Sequence, residues 1–185
     1  PGRVHLEQRA GKQGLGTAYI HGFKWALKHD YEFVTEMDAD FSHNPSDLPR
    51  LLEAIKTQKA DVAIGSRYIT GVNVVNWPMG RVLMSFYASM YVRVVTRMKV
   101  RDTTAGFVCW RRRVLEALEL DKIEFKGYAF QIEMKFKAFK RGFKIVEVPI
   151  IFVNRVLGTS KMNGSIFGEA VFGVLRSEEH TSELQ

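Results

Sequence analysis

Two aspartates, Asp38 and Asp40, stand one residue apart just beyond the β-prone run Phe33-Val34-Thr35-Glu36-Met37. Phe41-Ser42-His43-Asn44-Pro45 follows, with Pro45 set to open a helix. Carboxylates at i and i+2 past a strand end suit a hard divalent cation. Mg²⁺ takes oxygen ligands and commonly shares them with substrate phosphates. A bare Asp-X-Asp also occurs in turns whose side chains accept from nearby backbone amides, so the rest of the chain must decide between the two.

The basic residues point toward phosphate. Arg67 sits just past the apolar run Val62–Gly65, where ligands gather in open α/β sheets. Arg81 follows at a helix start after Asn76-Trp77-Pro78, and Arg155 and Lys161 flank Gly158-Thr159-Ser160. Arginine forks donate two parallel charge-assisted bonds to phosphate oxygens. Each alone reads as a surface charge; their shared position on loops after strands raises all four together. Gly11-Lys12-Gln13-Gly14-Leu15-Gly16-Thr17 does not fit the phosphate loop of nucleotide hydrolases, because its lysine comes early. It can still receive a phosphate through the free N–H groups of a helix start.

The elements that must position these groups alternate. Strands are expected at Val4–Glu7, Phe33–Met37, Val62–Gly65, Thr104–Trp110 and Lys144–Pro149. Helices are expected from the 11–17 loop to Lys28, over Ser46–Gln58, Met79–Thr96, Arg113–Leu118, Tyr128–Lys140 and Ile166–Leu175. That alternation predicts an α/β fold with a mostly parallel sheet flanked by helices. The 185 residues, 46% of them hydrophobic, are enough for one domain with a sizeable core. The net charge of +7 asks for an anionic partner. It also fits a nucleic-acid-binding module, but no such binding motif is present. A single cysteine, Cys109, excludes an internal disulfide framework and reads as a core residue. No apolar run approaches the roughly 20 residues that span a bilayer. The helix over Val82–Val95 is apolar nearly all round and supports two readings, a buried core helix or a membrane-contacting one.

Seven segments, several of them already met, then fall into a recognisable order. They are 11–19, 37–45, Gly65-Ser66-Arg67-Tyr68, Asn76-Trp77, Asp102-Thr103-Thr104-Ala105-Gly106-Phe107, Gly127 to Glu133, and Glu147 to Phe152 with Arg155 and Gly158–Met162. The set resembles family-2 glycosyltransferases of the dolichyl- or polyprenyl-phosphate mannose synthase type. The resemblance implies a GT-A-like nucleotide-sugar fold and mannose transfer, with inversion, from GDP-mannose to a dolichyl or polyprenyl phosphate. It implies Mg²⁺ or Mn²⁺ held by Asp38 and Asp40 with Ser42 next in line, and donor contacts from Asp38, Ala39, Asp40, Arg67, Arg155 and Lys161. Arg67, Arg81, Ser85 and Arg155 would meet the acceptor phosphate, and Glu133 would position the reacting groups. The implied setting is peripheral, at the cytoplasmic face of a membrane, with no nucleic-acid partner. Another sugar on a bacterial lipid phosphate is the alternative.

By the same resemblance the first strand–helix unit, with its base-recognising aspartate, is expected to be missing. The last ten residues, Arg176–Gln185, read back codon by codon as a sequencing adapter. The partial catalytic domain is therefore expected over 1–175, with 176–185 outside it.

Overall fold

The computed structural model describes residues 3–11, 13–125, 127 and 129–154. Arg155, Lys161, the helix expected at Ile166–Leu175 and the 176–185 tail lie outside the described residues. Within them run α1 (Leu15–Lys28), β1 (Phe33–Glu36), α2 (Asp47–Thr57), β2 (Val62–Ser66), β3 (Val74–Val75), α3 (Met79–Thr96), β4 (Val108–Arg111), α4 (Arg112–Ala117), α5 (Ala129–Lys140), β5 (Ile145–Pro149) and β6 (Phe152–Val153). A single 3₁₀ turn, Leu120–Lys122, leads toward α5.

The main sheet has the order β1-β4-β2-β5. β2 and β5 pair in parallel, Val62 opposite Ile145 and Ser66 opposite Pro149. β4 runs antiparallel to both neighbours, with Glu36 opposite Val108 on one side and Val62 opposite Trp110 on the other. Three strands therefore point one way and β4 is reversed. A small parallel pair, β3 with β6, sets Val74 opposite Phe152.

Alternation along the strands divides the core into two layers. Val62, Ile64, Val108 and Trp110 face α1, α4 and α5, meeting Phe23, Leu115, Leu118, Phe130 and Met134. Ala63, Cys109 and Val148 face the other way, onto Leu51 and Ile55 of α2. Cys109 is buried in that second layer. A third cluster packs Val92 and Met98 against Ile132 and Phe136, docking α3 on α5.

Two sequence expectations differ from the structure. Val4–Glu7 forms no strand, and Val4 and Leu6 are exposed, since no neighbouring strand takes up their backbone groups. The strand expected from Thr104 begins only at Val108, because 102–106 turn away to build the rim of a cleft. α3 is buried along one face only. Ser85, Ala88, Ser89, Val92 and Thr96 are buried, whereas Met79, Leu83, Phe86, Tyr87, Met90 and Val94 are exposed. Among the described residues no helix is long and apolar enough to cross a membrane.

Candidate active site

The ends of β1 and β2, the 102–106 loop and the starts of α1 and α3 form a cleft open to solvent. Asp38, Asp40, Arg67 and Arg81 all line it, as do Tyr19, His43, Trp77, Thr104 and Gln131. Two carboxylates and two guanidinium groups from three separate segments thus share one cavity. Gly65 permits the close approach at its floor. A Cβ there would lie 2.9 Å from the Phe107 ring and 3.1 Å from Ile150.

The aspartates are held differently. Asp38 accepts a hydrogen bond from the Tyr19 hydroxyl at 2.9 Å. Burial first, then the charges of Asp38 and Glu36, push the Tyr19 phenol upward, so it stays a proton donor. Tyr19 is itself fixed by stacking on Phe130, 5.8 Å between ring centres. Asp40 accepts from the Ser42 backbone N–H at 3.1 Å and from the Ser42 hydroxyl at 2.5 Å. That turn puts Phe41 in the left-handed region (φ 62) with its side chain 94% exposed. The backbone-satisfying role of an Asp turn and a cleft-facing carboxylate therefore coexist at Asp40. Val153 donates its N–H to Ser42 O at 3.1 Å, pinning the turn to β6.

Arg67 is buried, and its fork is directed onto Asp102. Nε donates to Oδ2 at 2.7 Å and Nη2 to Oδ1 at 2.6 Å, with Thr104 Oγ1 accepting at 2.9 Å. Burial alone would weaken the guanidinium's hold on its proton, but Asp102 more than offsets this. The guanidinium also lies 5.4 Å from the Trp77 ring centre. Arg81 stacks on the same ring at 4.0 Å and donates Nη1 to Asn154 Oδ1 at 3.1 Å. His43 packs between Phe107 and Phe152, and burial lowers its pKa, keeping the imidazole neutral.

Four expected site residues do not line the cleft: Ala39 and Ser42, which lie in the same turn as the two aspartates, and Ser85 and Glu133, which sit farther off. Ser85 is fully buried on α3 and is not among the lining side chains. Glu133 is 5% exposed and turned away from the cleft. Its carboxylate accepts from the N–H groups of Glu124 and Phe125 at 3.0–3.1 Å and pairs with Lys137 at 2.6 Å. Those bonds secure the loop before α5.

Sequence reading missed the side chains that set the cleft's shape: Tyr19, His43, Asp102, Thr104 and Gln131. It also missed Glu36 and Lys135, buried beneath the floor. Burial raises the Glu36 pKa and lowers that of Lys135. A charged residue two positions before Asp38 inside a β-prone run was the available signal for Glu36.

The donor set at Asp38 and Asp40 fits a hard cation only in part. Among the described residues no group of three or more His, Cys, Asp or Glu converges on one point. Remaining ligands would have to come from substrate, which is how Mg²⁺ is commonly held with phosphates.

A model of the family described as "Glycosyl transferase family 2" matches residues 1–119. The chain belongs to that family. It is 51% identical, over 173 residues and 94% of its length, to the undecaprenyl-phosphate mannosyltransferase of Micrococcus luteus. It is 48% identical, over 174 residues and again 94% of its length, to the polyprenol monophosphomannose synthase of Mycolicibacterium smegmatis. This glycosyltransferase chain spans 70% and 65% of those two relatives. In three dimensions it resembles glucosyl-3-phosphoglycerate synthase from Mycobacterium tuberculosis. The complex with phosphoglyceric acid gives a TM-score of 0.63 at 16% identity, covering 91% of this chain and 56% of that one. The complex with Mn²⁺, uridine diphosphate and phosphoglyceric acid gives 0.62 at 17%, covering 90% and 54%. At such identity the likeness speaks for the fold, which is the GT-A-like α/β arrangement that the family resemblance implies.

Proposed function

We propose that this transferase moves mannose from GDP-mannose to a polyprenyl or dolichyl phosphate, with inversion at the anomeric carbon. The observation that carries the reading is the shared cleft in which Asp38 and Asp40 face the arginine side chains of Arg67 and Arg81. Such a cavity suits a ligand with phosphates in it. The relatives named for mannosyl transfer to polyprenyl phosphate supply the sugar and the acceptor class.

A phosphomonoester acceptor is largely dianionic at neutral pH, its second pKa being about 6. One of its oxygens forms the new bond to the anomeric carbon as the bond to the leaving diphosphate breaks. No proton has to be removed, so no protein base is required. Glu133, committed to backbone amides, is consistent with a site that has no such base. Arg67 and Arg81 offset the charge that builds on the diphosphate. Asp38 and Asp40, with Ser42 beside them, would hold Mg²⁺ or Mn²⁺, which supplies Lewis-acid stabilisation of that leaving group.

The lipid acceptor sets the place of work at the cytoplasmic membrane surface. The exposed apolar face of α3 (Leu83, Phe86, Tyr87, Met90, Val94) and Arg93 beside it suit an anionic bilayer. The test is transfer of labelled sugar to a short polyprenyl phosphate, with GDP-mannose and UDP-glucose as competing donors. Preference for UDP-glucose would assign a different sugar; transfer to no lipid phosphate would remove the acceptor.

A further inference from the structure

Below the cleft floor, the ammonium of Lys135 on α5 is fully buried. It donates to Ala105 O at 2.6 Å, Gln131 O at 3.1 Å, Thr103 O at 3.2 Å and Gln131 Oε1 at 3.3 Å. The amide of Gln131 turns its Nε2 to Glu36 at 3.0 Å, and Trp110 Nε1 donates to the same carboxylate at 3.2 Å. A buried ammonium is costly unless its protons are all taken up. Here they are taken up by Gln131 of the same helix and by two loop carbonyls, of Thr103 and Ala105, that lie ahead of β4, which begins only at Val108.

The loop so gripped forms one wall of the cleft. Thr104, Ala105 and Gly106 line it, and Asp102 and Thr104 aim Arg67. From the opposite side Glu147 of β5 accepts the N–H groups of Arg101 at 2.8 Å and Asp102 at 2.9 Å. Residues 101–105 are thus held between a carboxylate that takes their amides and an ammonium that takes their carbonyls.

We infer that Lys135 is a positioning residue of the transferase. It fixes the 102–106 loop and Gln131 against the cleft, and through Asp102 it fixes the direction of the Arg67 guanidinium. It touches no substrate; its effect reaches the reacting groups through the loop. The inference rests on the glycosyl-transfer reading but not on which sugar is moved.

Lys135→Met is the first variant. Lys135→Met with Glu36→Gln is the second, so that no buried carboxylate is left beside an apolar side chain. Hydrogen exchange of backbone amides needs no donor, and it should speed up over 101–107 while the β2–β5 ladder keeps its protection. With whichever nucleotide sugar the unmodified protein uses, kcat should fall on the order of ten- to a hundredfold, as for displaced catalytic groups. KM for that donor should change much less. Wild-type kcat in a folded variant overturns the inference. So does faster exchange spread evenly over the sheet, which would make Lys135 a stability residue alone. Failure of the unmodified protein with GDP-mannose overturns the donor assignment and leaves the exchange result to judge Lys135.

Discussion

Arg67 and Asp102, 35 residues apart in sequence, meet in a two-pronged ion pair at 2.6 and 2.7 Å, with the Arg67 backbone N–H also donating to Asp102 at 2.9 Å. The arginine that sequence reading offers as a phosphate ligand is thus first a buried structural cation. What it presents to the cleft is the part of the guanidinium that Asp102 does not occupy.

Removing one partner strands the other. Asp102→Ala should lose about 3–5 kcal/mol of folding stability, the cost of breaking a buried pair. Urea unfolding measures it. The double variant Arg67→Ala/Asp102→Ala should lose less than the sum of the two single changes. Additive losses would mean the pair is not coupled.

Acid should uncover the same pair. Burial would raise the Asp102 pKa, but Arg67 more than offsets it, and the carboxyl lies below its ordinary 3.8. The folded state then binds that proton less readily than the unfolded one. The pair's contribution is complete above about pH 4 and is lost as pH falls through the lower, folded value. Melting temperature followed from pH 6 to pH 2.5 should show a steeper acid loss in wild type than in Asp102→Asn.

Asp40→Asn should nearly abolish transfer while leaving the melt close to wild type, since the amide oxygen can still accept from Ser42. Titration with Mn²⁺ in the presence of donor should show weakened metal uptake. Full turnover with Mg²⁺ or Mn²⁺ would remove the metal assignment at Asp38 and Asp40.

Arg81→Ala should cost on the order of 1.5–3 kcal/mol of transition-state stabilisation, as for a charged hydrogen bond. In kcat/KM that is roughly a ten- to hundredfold fall. Trp77→Leu should reproduce a smaller part of it, because the ring holds the Arg81 guanidinium 4.0 Å from its centre. Unchanged kinetics in both variants would return Arg81 to the surface charges.

Glu133→Gln separates a structural role from a chemical one. The carboxylate secures two amides and Lys137, so its loss should lower the melting temperature while kcat stays within a few-fold of wild type. A hundredfold loss in kcat from a fully folded variant would restore Glu133 to the chemistry.

The sequence by itself determined the local elements and the carboxylate motif. Met79–Thr96 is helical over the expected span, because a run of helix-compatible residues after Asn76-Trp77-Pro78 marks its start without reference to the rest of the fold. Asp38 and Asp40 lie just past β1 for the same reason, since strand and turn chemistry are both written in neighbouring residues. Tertiary structure decided what those groups face. Nothing in a period of 2 or 3.6 residues says that Arg67 will meet Asp102, or that Lys135 will close on carbonyls 30 and 32 residues away. Nor does it say that β4 will run against its neighbours, or that Val4–Glu7 will find no strand to pair with. Glu133 shows the limit most plainly: one helical turn carries both Gln131, which reaches the cleft, and Glu133, which does not. Local pattern fixes which residues share an element; long-range packing alone chooses the side on which each one's charge is satisfied.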